Sequence, residues 1–141
     1  MIATKVSFLT AVLAVSPITL ASAHQPVLLT SSHDSANRGP ILVDGTISFA
    51  LRASFTKANQ ERGFRASLKE GELLNFEYLI VDQPPENKLP LSKLPKVTIT
   101  APDGSKTVVK FTQRSKFYEP YSGTNYLYLA RFSSTAIEGI Y

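Results

Sequence analysis

Cysteine is absent from this 141-residue chain, and so is tryptophan. Without thiols there can be no disulfide staple and no thiolate metal site, so a domain exported in this form must rest on its apolar core. Histidine is scarce, with only 2 in the chain, His24 and His33. No Asn-x-Ser/Thr sequon occurs, so N-linked glycosylation has no acceptor. Basic residues outnumber acidic ones 15 to 11 for a net charge of +4, but apart from Lys5 they are scattered from Arg38 to Arg131. Nucleic-acid binding needs a concentrated basic patch, and none is present. There is no Gly-x-Ser-x-Gly nucleophile turn and no Asp-x-Asp-x-Asp calcium cluster. His33, Asp34 and Ser35 are sequential neighbours, whereas a Ser-His-Asp triad converges from separate elements. Internal repeats and low-complexity tracts are also missing.

What is present begins with a leader. Lys5 supplies an early positive charge, Val6 to Leu20 is mostly apolar, and Ala21-Ser22-Ala23 is a small-residue cleavage site. That order is the pattern of a secretory signal peptide, with its apolar helix within residues 1–23. A spanning helix needs about 20 apolar residues in a row; this run is shorter and is broken by Thr10, Ser16, Pro17 and Thr19. Cleavage after Ala23 implies a secreted protein, extracellular or periplasmic, without a transmembrane segment in its mature form. The rest of the chain is one domain by length. Residues 24–45 read as an N-terminal extended segment and residues 46–141 as the folded domain.

Period two dominates that domain. Ile47, Phe49, Leu51, Ala53 and Phe55 alternate with polar residues between Thr46 and Thr56, as on a half-buried strand. Phe64, Ala66 and Leu68, then Leu74, Phe76, Tyr78 and Ile80, flank a "KEGE" turn and read as a hairpin. Asp82 to Pro95 carries four prolines, which forbid helix and central strand, and reads as a crossing between sheets. Val97 and Ile99 lead into Pro102-Asp103-Gly104, a turn in which glycine accepts a left-handed backbone. Tyr126, Tyr128 and Ala130 alternate with Leu127, Leu129 and Arg131. Thr56 to Arg62 is the one place for a helical turn. About seven short strands of this kind predict an all-β fold, an antiparallel β-sandwich of jelly-roll or Ig-like type. Core positions are Ile47, Phe49, Leu51, Phe64, Leu68, Phe76, Ile80, Val97, Ile99 and Leu129. The strand opening at Gly139-Ile140-Tyr141 is cut short or is completed by a partner strand.

The succession "FRASLKEGELLNFEYLI", "VTITAPDGSK", "NYLYLARF" and "AIEGIY" resembles the bacterial pre-peptidase C-terminal domain over about Gly63 to Tyr141. That resemblance implies a small secreted β-sandwich that accompanies an enzyme or a surface protein, although no peptidase precedes it here. The chain is also similar to stand-alone secreted bacterial proteins that carry the "HDSANRGPILVDGTISFA" and "EPYSGTNYLYL" stretches.

Two candidate sites follow. Tyr118 and Tyr121 flank Pro120 beside Glu119. Tyrosines offer a flat apolar face with a polar tip, suited to a sugar ring or a protein surface; Tyr126 and Tyr128, by their alternation, fit the core or its margin. Cleavage after Ala23 would give His24 a free α-amine; with its imidazole and that of His33 this is a three-nitrogen set that suits copper. It resembles the N-terminal histidine of periplasmic copper-binding sandwiches and copper-dependent polysaccharide monooxygenases, whose second histidine lies far downstream. More simply, both histidines are solvated. Three readings stay open: a non-enzymatic binding module for a cell-surface polymer or protein, a copper-binding protein, and an accessory domain completed by a partner strand.

Overall fold

Alternating apolar residues on a chain rich in turn formers give strands almost throughout. A computed structural model describes residues 24–141; the signal-peptide reading falls on residues 1–23 and lies outside the described residues. Ten strands form among the described residues: β1 (Gln25–Leu29), β2 (Ile41–Leu42), β3 (Phe49–Ala53), β4 (Arg65–Leu68), β5 (Leu73–Val81), β6 (Thr98–Thr100), β7 (Lys106–Val108), β8 (Ser115–Glu119), β9 (Thr124–Thr135) and β10 (Gly139–Ile140). Helical geometry is confined there to short 3-10 turns at Ala36–Arg38, Glu86–Lys88 and Leu91–Lys93, and no helix is long and apolar enough to cross a membrane. The all-β expectation holds. The strand count exceeds the expected seven partly because residues 24–45 contribute β1 and β2.

The strands form four small sheets, ordered β1-β3, β10-β4-β2, β5-β9-β8 and β6-β7. Pairing is antiparallel except in β1–β3 and β2–β4, which are parallel. The expected all-antiparallel arrangement is corrected here: the N-terminal segment returns alongside later strands in the same direction instead of forming hairpins with them.

β4 and β5 do not form a hairpin. β4 pairs with β10, Leu68 opposite Gly139, and β5 pairs with β9, Leu73 opposite Thr135. The two chain segments keep facing each other through a bend at "KEGE", where the amide of Gly71 donates to Ala136 O at 3.0 Å and that of Ala136 to Glu72 O at 2.7 Å. Amides without a ladder partner at the bend are met by carboxylates. Glu72 Oε2 accepts from Lys69 N at 2.8 Å and Glu70 Oε2 from Glu138 N at 3.1 Å. β4–β5 is therefore one ascending run and β9–β10 one descending run. At the end of this ribbon the Tyr141 and Ala66 backbones exchange hydrogen bonds at 2.9 and 3.1 Å.

Strict alternation also fails in β9. Tyr78 pairs with Ala130 and Leu79 with Tyr128, leaving Leu129 as an extra residue. Such a bulge sets two residues against one and re-aims the side chains beyond it. Its carbonyl accepts from Thr112 N and Gln113 N at 3.0 and 3.3 Å. Leu127, Leu129 and Ala130 are consequently all buried, whereas Arg131 is exposed.

Ile80, Leu94, Leu127 and Leu129 form the central apolar cluster, with Tyr78, Leu91 and Phe111 packed against it. Tyr78 and Phe111 rings lie 4.8 Å apart. Leu91 and Leu94 come from the proline-rich crossing, which reaches from β5 to β6 as expected and carries core residues of its own. Leu29, Leu42, Leu68, Val109 and Ala136 are also buried, and no polar residue is buried among the described residues. Of the expected core, Leu68, Ile80 and Leu129 are buried, while Phe49, Leu51, Phe64, Phe76, Val97 and Ile99 are half-buried. Ile47 is 40% exposed. It closes a turn in which Asp44 Oδ1 accepts from Thr46 N at 3.0 Å, so it lies outside the strand. Thr56 to Arg62 is likewise a turn and not a helix: Gln60 Oε1 accepts from Thr56 N at 2.7 Å and Lys57 N at 3.0 Å, and Asn59 has φ 61.

Candidate functional site

The sheet β5-β9-β8 positions most of the groups with chemical character. Residues paired across strands share a face. Ile80, Leu127 and Lys116 are cross-strand partners, and the first two point into the core. Val81, Tyr126 and Phe117 are partners on the opposite face, as are Leu79, Tyr128 and Ser115. Beyond the bulge, Glu77 with Arg131 and Asn75 with Ser133 continue that outward face.

A bonded network crosses it. Tyr128 Oη donates to Glu77 Oε2 at 3.0 Å and Arg131 Nε to Glu77 Oε1 at 3.0 Å. The Arg131 guanidinium lies over the Tyr128 ring, 3.9 Å from its centroid, and Nη1 reaches Gln113 Oε1 at 3.4 Å. Phe117 packs at 5.2 Å on Tyr128, and Ser133 Oγ donates to Asn75 Oδ1 at 2.7 Å. Partial burial, then the bond to Glu77, raises the Tyr128 pKa, and the Glu77 carboxylate raises that of Arg131. Both keep their hydrogen-bonding forms at neutral pH. Alternation alone hides this network, because the bulge at Leu129 brings Tyr128 and Arg131 onto one face. The visible signal is the aromatic-rich "NYLYLAR" itself.

The end of β8 and the turn to β9 carry the tyrosines singled out in the sequence, Tyr118 on the strand and Tyr121 in the turn. Tyr118 is 58% and Tyr121 73% exposed. Glu119 is committed differently from them: its Oε1 accepts from Tyr121 N at 2.8 Å and its Oε2 from Ser122 N at 2.7 Å. The bond to Ser122, then that to Tyr121, holds its pKa below the usual carboxylate value, and the nearby His24 adds to the effect. Glu119 thus shapes the turn that displays Tyr121.

The two histidines are not brought together. His24 precedes β1 and His33 follows it, and a five-residue strand alone spans about 17 Å. His24 Nδ1 lies 2.6 Å from Ser48 Oγ. His33 Nδ1 accepts from Thr30 N at 3.1 Å while its carbonyl accepts from Gly63 N at 2.8 Å. Residues 25–29 between them pair with β3 instead of closing a loop. Among the described residues no group of three His, Asp or Glu side chains could hold a metal ion.

No family model, curated protein or solved structure matches this chain.

Proposed function

We propose that this protein is a secreted, non-enzymatic binding module whose small sheets assemble as a β-sandwich of the kind the pre-peptidase C-terminal resemblance implies. Export would follow from the leader in residues 1–23. Its contact surface lies at the β8–β9 turn, with a cell-envelope polymer or protein as ligand. The observation that carries this reading is the exposure of Tyr118, on β8, and of Tyr121, in the following turn that Glu119 fixes. Tyrosine rings offer a large amphipathic contact, and a pre-shaped turn lowers the ordering cost of binding.

The test is an envelope pull-down with the paired variant Tyr118→Ala, Tyr121→Ala. Both side chains are exposed, so folding, followed by circular dichroism, should be unaffected while retention on isolated envelopes is lost. Retention equal to that of the parent protein would remove this turn as the contact surface.

A further inference from the structure

The outward face of β5-β9-β8 carries groups that the turn does not, and its chemistry points to a ligand class. We infer that this face is a binding platform for an uncharged polysaccharide, an inference that rests on reading the protein as a binding module.

Three observations lead there. First, the face neutralises itself. Arg131 is bonded to Glu77 at 3.0 Å with both side chains about half exposed, so an anionic or cationic polymer would have to compete with an existing pair. Second, its polar groups are fixed before any ligand arrives. The Arg131 guanidinium sits over the Tyr128 ring, 3.9 Å from its centroid, with Nε on Glu77 and Nη1 on Gln113. A guanidinium edge, a carboxylate with spare lone pairs and an amide, all held by neighbours, suit hydroxyl groups that both donate and accept. Third, the array is linear. Tyr126, Tyr128, Arg131 and Ser133 follow one another along β9, over about 20 Å at strand spacing, with the half-exposed Tyr126 ring at one end. A chain of several sugar rings fits this length, one ring stacking its C–H groups on Tyr126 and the others presenting hydroxyls to the fixed polar groups. A protein partner would call for an apolar centre from which charged residues are depleted, and here the centre is the Glu77–Arg131 pair.

The experiment uses the mature full chain in pull-downs with insoluble cellulose, chitin, xylan and β-1,3-glucan, and with cross-linked polygalacturonate as the anionic comparison. Four proteins are compared: the parent, Glu77→Ala with Arg131→Ala, Tyr126→Ala, and the turn variant Tyr118→Ala with Tyr121→Ala. Thermal melts check that each is folded. The paired Glu77/Arg131 variant removes exposed groups only, so it keeps the test valid if Tyr126→Ala fails to fold. The expected result is retention on at least one uncharged polymer, weakened tenfold or more in the Glu77/Arg131 variant. Retention on an uncharged polymer that this variant leaves intact overturns the platform; if the turn variant abolishes it, the binding-module reading stands without the platform. Retention on polygalacturonate alone, lost with added salt, overturns the ligand class. Binding to isolated envelopes but to none of the polymers overturns the inference while leaving the module reading in place, and binding to neither removes both.

Discussion

At the scale of single residues, two side chains carry unequal burdens that only their surroundings reveal. Leu129 is fully buried in the central cluster. Truncating it leaves a cavity among Ile80, Leu94 and Leu127, and Leu129→Ala should lower stability by about 2–5 kcal/mol in urea unfolding. Its backbone role at the bulge survives the substitution, so the loss reports packing. Glu119 is exposed to titration, and its two backbone bonds favour the ionised form. Its folded pKa lies below the ordinary 4.5. The contribution to stability is therefore fully present above 4.5 and fades as pH falls through the lower folded value. A carboxyl-detected NMR titration should place the Glu119 midpoint below 4.5, with Tyr121 and Ser122 amide shifts following the same curve. Amide shifts that ignore the carboxyl titration would show that the turn does not depend on it.

At the scale of elements, turns decide what alternation leaves open. The β6–β7 hairpin was legible because Pro102-Asp103-Gly104 is read locally. Ala101 N donates to Ser105 O at 2.9 Å, Asp103 Oδ1 accepts from Ser105 N at 2.9 Å, and Gly104 has φ +84. "KEGE" carries equally strong turn residues, yet it makes a bend, because its partner lies some 65 residues away at Ala136–Glu138 and leaves no local trace. The bulge at Leu129 escapes for the same reason: its carbonyl is bonded by Thr112 and Gln113. Tyr118 and Tyr121 could be placed from Pro120 between them, whereas the Glu77–Arg131 pair depends on register and could not. Two glycines separate local strain from tertiary clash. A Cβ on Gly104 meets nothing within 4 Å, so Gly104→Ala costs only the left-handed backbone, about 1–2 kcal/mol. A Cβ on Gly63 would lie 2.3 Å from Ala36 N and Ser35 C, forcing apart the segment that His33 and Arg65 hold. Gly63→Ala should therefore lower the melting temperature well beyond Gly104→Ala, and equal effects would mean that the Ser35–Ala36 backbone yields freely.

At the scale of the whole molecule, stability is distributed unevenly over small sheets. Sheets of two or three short strands have little cooperativity of their own. The β5–β9 ribbon is different: it is the longest pairing, its inner face holds Ile80, Leu127 and Leu129, and β8 covers one of its edges. The β6–β7 pairing spans three residues a side, and β7 is exposed throughout. Local opening free energy follows buried apolar contacts and shielded backbone bonds. Amide exchange should accordingly be slowest in the β9 amides that face β5 and fastest in β6–β7. The parallel β1–β3 pair, with Leu29 buried but Arg52 and Ala53 exposed, should lie between them. Substituting Leu129 by Ala should shorten the slowest lifetimes while leaving those of β6–β7 nearly unchanged, because the latter open without breaking the core. A uniform acceleration of all amides would instead mean that the four sheets unfold as one unit, with the hairpin as tightly coupled to the ribbon as β8 is.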